Sequence, residues 1–195
     1  MKQLLRNLAL VALLCVPWVT QAQSVFTEDF EGGSMPTGWT TDGPGTWSVG
    51  TGDYSTGTGS HGGTYNALIK HSSNGNATKL ITPEIDLSGA AAYDLVFWRI
   101  NRSWGGDIDE LHVYYRTSSA GEWVELQSWT TASATWTETT ITLPNTSATY
   151  QVAFEMVDNY GYGVGIDDVS IVPPPSCINV AGVTVTGITS TCSCC

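Results

Sequence analysis

Short runs of alternating apolar and polar residues follow one another along this chain, and almost nowhere do apolar residues recur at helical spacing. The runs cover 25–30, 65–70, 79–87, 93–100, 111–117, 123–129, 136–143, 150–157 and 165–172, separated by Gly, Asn, Asp, Ser or Pro. In 111–117 the alternation points Leu111, Val113 and Tyr115 inward and His112, Tyr114 and Arg116 outward. In 150–156 it points Tyr150, Val152, Phe154 and Met156 inward. The run 93–100 is apolar on both faces, as a covered strand is. Strands at intervals near a dozen residues, without helices between them, predict an all-β antiparallel β-sandwich. With no Cys…Trp…Cys framework for an immunoglobulin-like form, a jelly roll is expected, with the first and last strands as neighbours. Trp39, Trp47, Trp98 and Trp136 are expected in the core. Trp123 and Trp129 are expected as an exposed pair.

The ends of the chain follow other patterns. Residues 1–22 have the parts of a signal peptide: Lys2 and Arg6, an apolar stretch over 8–16 too short to span a bilayer, and Thr20-Gln21-Ala22 as the cleavage signal. A secreted or cell-surface location is expected. Pro173-Pro174-Pro175 ends the last strand, making 173–176 a stiff linker. The alternation then resumes over 177–195, a stretch too short for a core of its own. All cysteines past the leader lie in that stretch, so no disulfide staples the body.

Charge narrows the partners. The chain has 18 acidic and 7 basic residues. Without Lys2 and Arg6 the balance is 5 − 18 = −13. Nucleic acid and anionic membrane surfaces need a basic face and are excluded as partners. No membrane insertion of the mature chain is expected.

The acids form two groups. Glu28, Asp29 and Glu31 lie at the first strand, and Asp167 and Asp168 in the last. If these strands are neighbours, the carboxylates converge and require neutralisation, which a hard cation with six to eight oxygen ligands supplies. Structural calcium is the expected cofactor. Strand alternation puts Asp167 on the face of Val169 and Ile171. The second group, Asp107, Asp109 and Glu110, is expected to be solvated or paired with Arg102. Nucleophile, zinc and phosphate-loop motifs are missing: the histidines are scattered, and no Gly-x-Ser-x-Gly is present. The chain is expected not to be an enzyme.

Aromatic residues in loops are the better sign of function. Trp104 follows Asn101 and Arg102, and Tyr160 and Tyr162 follow Asp158 and Asn159, all among glycines. Flat rings stack on sugars or anchor protein partners, while Asn, Asp and Arg bond hydroxyls. Asn101, Arg102, Trp104, Asp158, Asn159, Tyr160 and Tyr162 are the candidate ligand-binding set, with Tyr54 as a further aromatic. Both loops precede strands, so they are expected to meet at one end of the sandwich.

Several stretches taken together carry a family resemblance. They are Phe26-Thr27-Glu28-Asp29-Phe30-Glu31, Met35-Pro36-Thr37-Gly38-Trp39, Leu80-Ile81-Thr82-Pro83-Glu84-Ile85-Asp86-Leu87, Leu95-Val96-Phe97-Trp98, Trp136 ahead of Leu143-Pro144, Val152-Ala153-Phe154 and Ile166-Asp167-Asp168-Val169. Their order over 25–172 resembles the cleaved-adhesin and choice-of-anchor J modules of secreted bacterial proteins, and more distantly MAM domains. The tail after the prolines resembles the start of a fibronectin type III domain, truncated at 195. The resemblance implies a jelly roll, structural calcium, and a noncatalytic extracellular binding or adhesion role toward glycan or protein. The alternative is an accessory module of a secreted peptidase or glycan hydrolase whose catalytic domain lies elsewhere. The chain departs from the adhesin pattern at 40–45, where the acid-rich loop of relatives holds only Asp42. Oligomeric state is left open.

Overall fold

The computed structural model describes residues 23–55, 57–70 and 75–174. The expected leader, His71, the end of the proline linker and the C-terminal stretch with its cysteines lie outside the described residues. Eleven strands form among them: β1 (Phe26–Glu28), β2 (Thr40–Asp42), β3 (Trp47–Gly50), β4 (Asn66–Ile69), β5 (Ala77–Ile81), β6 (Tyr93–Asn101), β7 (Glu110–Arg116), β8 (Val124–Trp129), β9 (Ser133–Leu143), β10 (Gln151–Val157) and β11 (Val164–Val172). They make two antiparallel sheets packed as a jelly-roll sandwich. One sheet runs β3-β4-β11-β6-β9 with β1 added on β11, and the other runs β2-β5-β10-β7-β8.

The core lies where the alternation places it. Leu111, Val113 and Tyr115 of β7 and Val152, Phe154 and Met156 of β10 are buried against Leu95 and Phe97 of β6. The Phe97 and Phe154 rings meet edge-on, 5.0 Å apart, and the Tyr115 and Tyr150 rings stack at 5.5 Å. Burial, and then the neighbouring Tyr115, raise the Tyr150 phenol well above its ordinary pKa.

First and last strands are neighbours: β1 pairs with β11 through Phe26–Ile171, Thr27–Ser170 and Glu28–Val169. The same edge of β11 pairs with β4 at Val164, Gly165 and Ile166. Between these two contacts β11 bulges. Its register against β6 shifts between Asp167 and Ser170, and Asp168 takes a φ of +47°. The extra residue switches the facing pattern. Ile166 and Val169 both enter the core, while Asp167 pairs with Trp98. The expectation that Asp167 shares the face of Val169 and Ile171 is thereby corrected, because plain alternation does not survive a bulge.

The tryptophans divide differently from expectation. Trp39 and Trp47 are core residues, but Trp98 and Trp136 are only half-buried, under the segment 51–65 on the outer face of the first sheet. His61 stacks on Trp98 with ring centres 3.6 Å apart, and Trp136 Nε1 donates to the Gly59 carbonyl at 2.8 Å. Trp129 packs against the core edge-on to Phe97, so it makes no exposed pair with Trp123. The strands β2 and β3 escape the sequence pattern because each has only three or four residues beside Gly and Pro. The expected strand 79–87 stops at Ile81, as Pro83 cannot donate to a ladder, and Ile85 keeps a single bridge to Tyr150.

Candidate functional site

The loops ahead of β7 and β11 meet at one end of the sandwich, joined by a third loop. Tyr162 N–H donates to the Arg102 carbonyl (3.2 Å), and Tyr54 N–H donates to the Tyr162 carbonyl (3.0 Å). Arg102 forms a fork to Asp53, with Nε at 2.9 Å from one carboxylate oxygen and Nη2 at 3.2 Å from the other, and also bonds the Thr58 hydroxyl. The Asp53 side chain is fully buried, and a two-toothed pair in that setting fixes the angle between loops.

Asp109 is the hub of this end. Its carboxylate accepts backbone N–H bonds from Asn159 (2.7 Å), Gly161 (2.9 Å) and Gly163 (2.6 Å). It is 0% exposed, which corrects the expectation of a solvated acid or an Arg102 partner. Three converging amides satisfy a buried carboxylate without a cation. Gly161 is required beside it, since a Cβ there would lie 2.5 Å from Asp109 N. In the sequence, the glycines alternating through 159–163 were the only trace of this device.

The candidate residues separate into supports and contacts. Asn101 is buried, donating to the carbonyls of Asp109 (3.1 Å) and Thr131 (3.2 Å) and accepting from Ser133 N–H (3.2 Å). Asp158 is buried and accepts from Tyr160 N–H at 3.1 Å. Both serve the loops' own backbone. Asn159 is half-buried and donates to Glu110 Oε1 at 3.2 Å. Tyr162 is half-buried, 6.0 Å from the Arg102 guanidinium. Outside stand Trp104, 55% exposed, Tyr54, 50%, and Tyr160, 45%. Trp104 sits on a tight turn closed by paired 2.9 Å bonds with Asp107. Tyr160 holds a φ of +63°. Lys70 lies 3.6 Å from the Tyr54 ring centre.

The first acidic group, Glu28, Asp29, Glu31, Asp167 and Asp168, lies along the β1–β11 seam and splits by function. Asp167 is buried; one of its carboxylate oxygens accepts His61 N–H (2.9 Å) and Gly62 N–H (3.1 Å), the other Asp168 N–H (2.8 Å). Burial outweighs these bonds and pushes its pKa up to about 6. Glu31 accepts N–H bonds from Thr64 and Tyr65, both at 2.8 Å. These two acids clamp the segment 51–65. Asp168 reaches His61 Nδ1 at 2.6 Å. Glu28 and Asp29 cap the N–H groups of Phe30 and Glu31. Glu28, Asp29 and Asp168 line one shallow cleft of about 360 Å³ together with Thr27, Val169 and Ser170. Among the described residues no lysine or arginine pairs with these three. The ligand atoms that converge are those of His61, Asp167 and Asp168, all within 4.8 Å of one another, while Glu28 and Asp29 line the cleft beside Asp168; the carboxylate oxygens among them suit a hard cation. Asp42 lies elsewhere, in the edge strand of the other sheet.

The family model for the MAM domain, meprin/A5/mu, matches residues 29–178. The chain belongs to the MAM domain family. No curated protein sequence matches it. This MAM domain is similar in fold to the K3 cleaved adhesin domain of Lys-gingipain from Porphyromonas gingivalis, at 21% identity and a TM-score of 0.60, covering 77% of this chain and 100% of that one. It is similar to the K1 cleaved adhesin domain of the same protein at 21% identity and a TM-score of 0.58, covering 75% and 96%. It is also similar to the CBM22-1 xylan-binding domain of Paenibacillus barcinonensis Xyn10C, at 13% identity and a TM-score of 0.53, covering 78% and 95%. At these identities the likeness establishes the sandwich fold alone.

Proposed function

We propose that this MAM domain is a noncatalytic extracellular module that binds a glycan or protein partner through the loop end of the sandwich. The observation that supports it is the pairing of three exposed aromatic side chains, Tyr54, Trp104 and Tyr160, with a fully bonded support of Asp53, Arg102 and Asp109. Large rings on held loops offer contact area at low ordering cost. The folds of adhesin and carbohydrate-binding modules support the same reading. The test is binding of the purified chain to a glycan array and to a panel of matrix proteins. Trp104→Ala and Tyr160→Ala should each weaken the bound partner by about tenfold or more, at unchanged melting temperature. Equal binding by wild type and both variants would remove the loop end from the account.

A structural calcium ion is the second part of the proposal. Asp167 and Asp168, with Glu28 and Asp29 from the adjoining cleft and carbonyl groups of the β1–β11 seam, would hold it. Bound there, it would neutralise the seam and tie the first strand to the last. Export and surface display remain part of the same proposal.

A further inference from the structure

The cations of this chain are few, and most have their donors filled. Lys79 pairs with Glu155, Arg102 with Asp53, and Arg116 Nε donates to the Gln151 side chain (2.9 Å). Arg99 of β6 differs. Its register partners are Thr137 of β9 and Ile166 of β11, and Ile166 is a core residue, so Arg99 stands on the inner side of its sheet. Its guanidinium lies 4.4 Å from the ring centre of Trp129, at the end of β8 in the other sheet. Strands β8 and β9 are the outermost of their sheets, so Arg99 and Trp129 meet near a margin of the sandwich, beside the turn that joins those strands.

The surroundings of Arg99 leave its charge unmatched. Nη1 donates to Asn101 Oδ1 (3.3 Å), while Nε is buried without a hydrogen-bond partner, the one such side-chain atom among the described residues. Burial pulls the guanidinium below its ordinary pKa. All 18 Asp and Glu of the sequence lie among the described residues, and none of them pairs with Arg99. A half-buried cation with an unfilled donor is unfavourable. No acidic side chain of this sequence relieves it. The site borders the loop end, because Asn101 also donates to the Asp109 carbonyl (3.1 Å).

We propose that Arg99 receives the side-chain carboxylate of an Asp or Glu on a protein partner; this deepens the function proposed above, rests on it, and chooses protein over glycan. The unmatched charge selects an anion, and the free edge of the guanidinium selects a carboxylate. With Nη1 on Asn101, the fork of Nε and Nη2 remains, the same edge with which Arg102 holds Asp53. Two donors in one plane match the two oxygens of a carboxylate. Trp129 selects against a sugar, because the indole face turned to this site already carries the guanidinium and no sugar ring can stack there. Arg99 is half-buried, so the carboxylate must come on a slender arm, as in Asp and Glu, rather than fixed to a ring. The net negative charge of the chain repels polyanions and favours a partner that presents an isolated acid.

The test follows the Arg99 Nε–H resonance by NMR in the full wild-type chain, assigned by its nuclear Overhauser contact with the Trp129 ring. The probe is acetyl-glutamate amide, with acetyl-glutamine amide and methyl glucuronide as comparisons, all at fixed ionic strength. The glutamate probe is expected to move the resonance saturably, the glutamine probe to leave it in place, and the glucuronide to bind several-fold more weakly. In parallel, Arg99→Gln should weaken the bound matrix protein by about tenfold. Its melting temperature should stay close to that of wild type, since no ion pair is lost. A resonance unmoved by the glutamate probe, moved equally by the glutamine probe, or bound more tightly by the glucuronide overturns the inference. Full matrix-protein binding by Arg99→Gln, with loss in Trp104→Ala, overturns it too and leaves the loop-end function standing. Binding of array glycans alone has the same meaning. A wild-type chain that binds neither glycan nor matrix protein overturns the proposed function as well.

Discussion

A buried carboxylate is stable when its oxygens are filled, and at the loop end Asp109 meets that condition with three backbone amides. Replacing it with alanine leaves three donors facing a dry cavity, each costing about 1–3 kcal/mol where water cannot enter. Asp109→Ala is therefore expected to lower stability by about 3 kcal/mol in urea unfolding and to speed amide exchange at Asn159, Gly161 and Gly163. Protection unchanged at these three amides would show that other contacts hold the loop. Asp109→Asn should be milder, since one carbonyl oxygen remains to accept. In the sequence, Asp109 is one acid among three near neighbours, and nothing local distinguishes it from Asp107, which is exposed. The difference arises because a loop fifty residues later folds its amides onto one of them. Trp104, Tyr160 and Tyr54 were legible as exposed rings because large aromatics among glycines have little of their own to pack against.

At the scale of elements, the bulge in β11 is the informative feature. One extra residue at Asp167–Asp168 lets β4 and β1 share one edge, turns Asp167 toward the outer face, and creates the anchor for the segment 51–65. That segment is fastened from below by Trp98 and from its edge by Asp167 and Glu31. Trp98→Ala is expected to loosen it while sparing the core, since the ring lies outside the sandwich. Limited proteolysis should then cut within 51–65 many times faster, with little change in the far-ultraviolet spectrum. A global loss of stability with no new cleavage would mean that Trp98 supports the sheet itself. The sequence pattern located β6, β7, β10 and β11 well because each is a long run of mostly apolar or alternating residues bounded by turn residues. It missed β2 and β3, whose existence depends on the edges of β5 and β4 being available for pairing.

For the whole molecule, the proposed calcium ion bears on how the two ends of the chain are held together. Extracellular sites bind calcium at about 10⁻⁴–10⁻³ M, so about 10 mM calcium should stabilise the fold by about 1.4–2.7 kcal/mol. For a domain of this size that is a rise of several degrees in melting temperature over the chelated protein. Asp29→Asn should shrink the rise, whereas Asp109→Ala, at the other acidic group, should lower both melting curves and keep their separation. Superimposed curves with calcium and with chelator would exclude the ion.

Taken by itself, the order of residues determined the class of the molecule: alternation with period two, most of the core side chains, the net acidic charge, and the family. These are local or additive properties, each written in a few neighbouring residues or in a sum over the chain. The tertiary structure alone decided which acids serve the backbone and which face a cleft, which tryptophans lie outside the sandwich, and which sheet face the segment 51–65 covers. Those outcomes depend on contacts between residues tens of positions apart, such as His61 with Asp167 or Asp109 with Gly163, and on one bulge that reverses an alternation. No short stretch of sequence contains both partners, so the chain must fold before the choice is made.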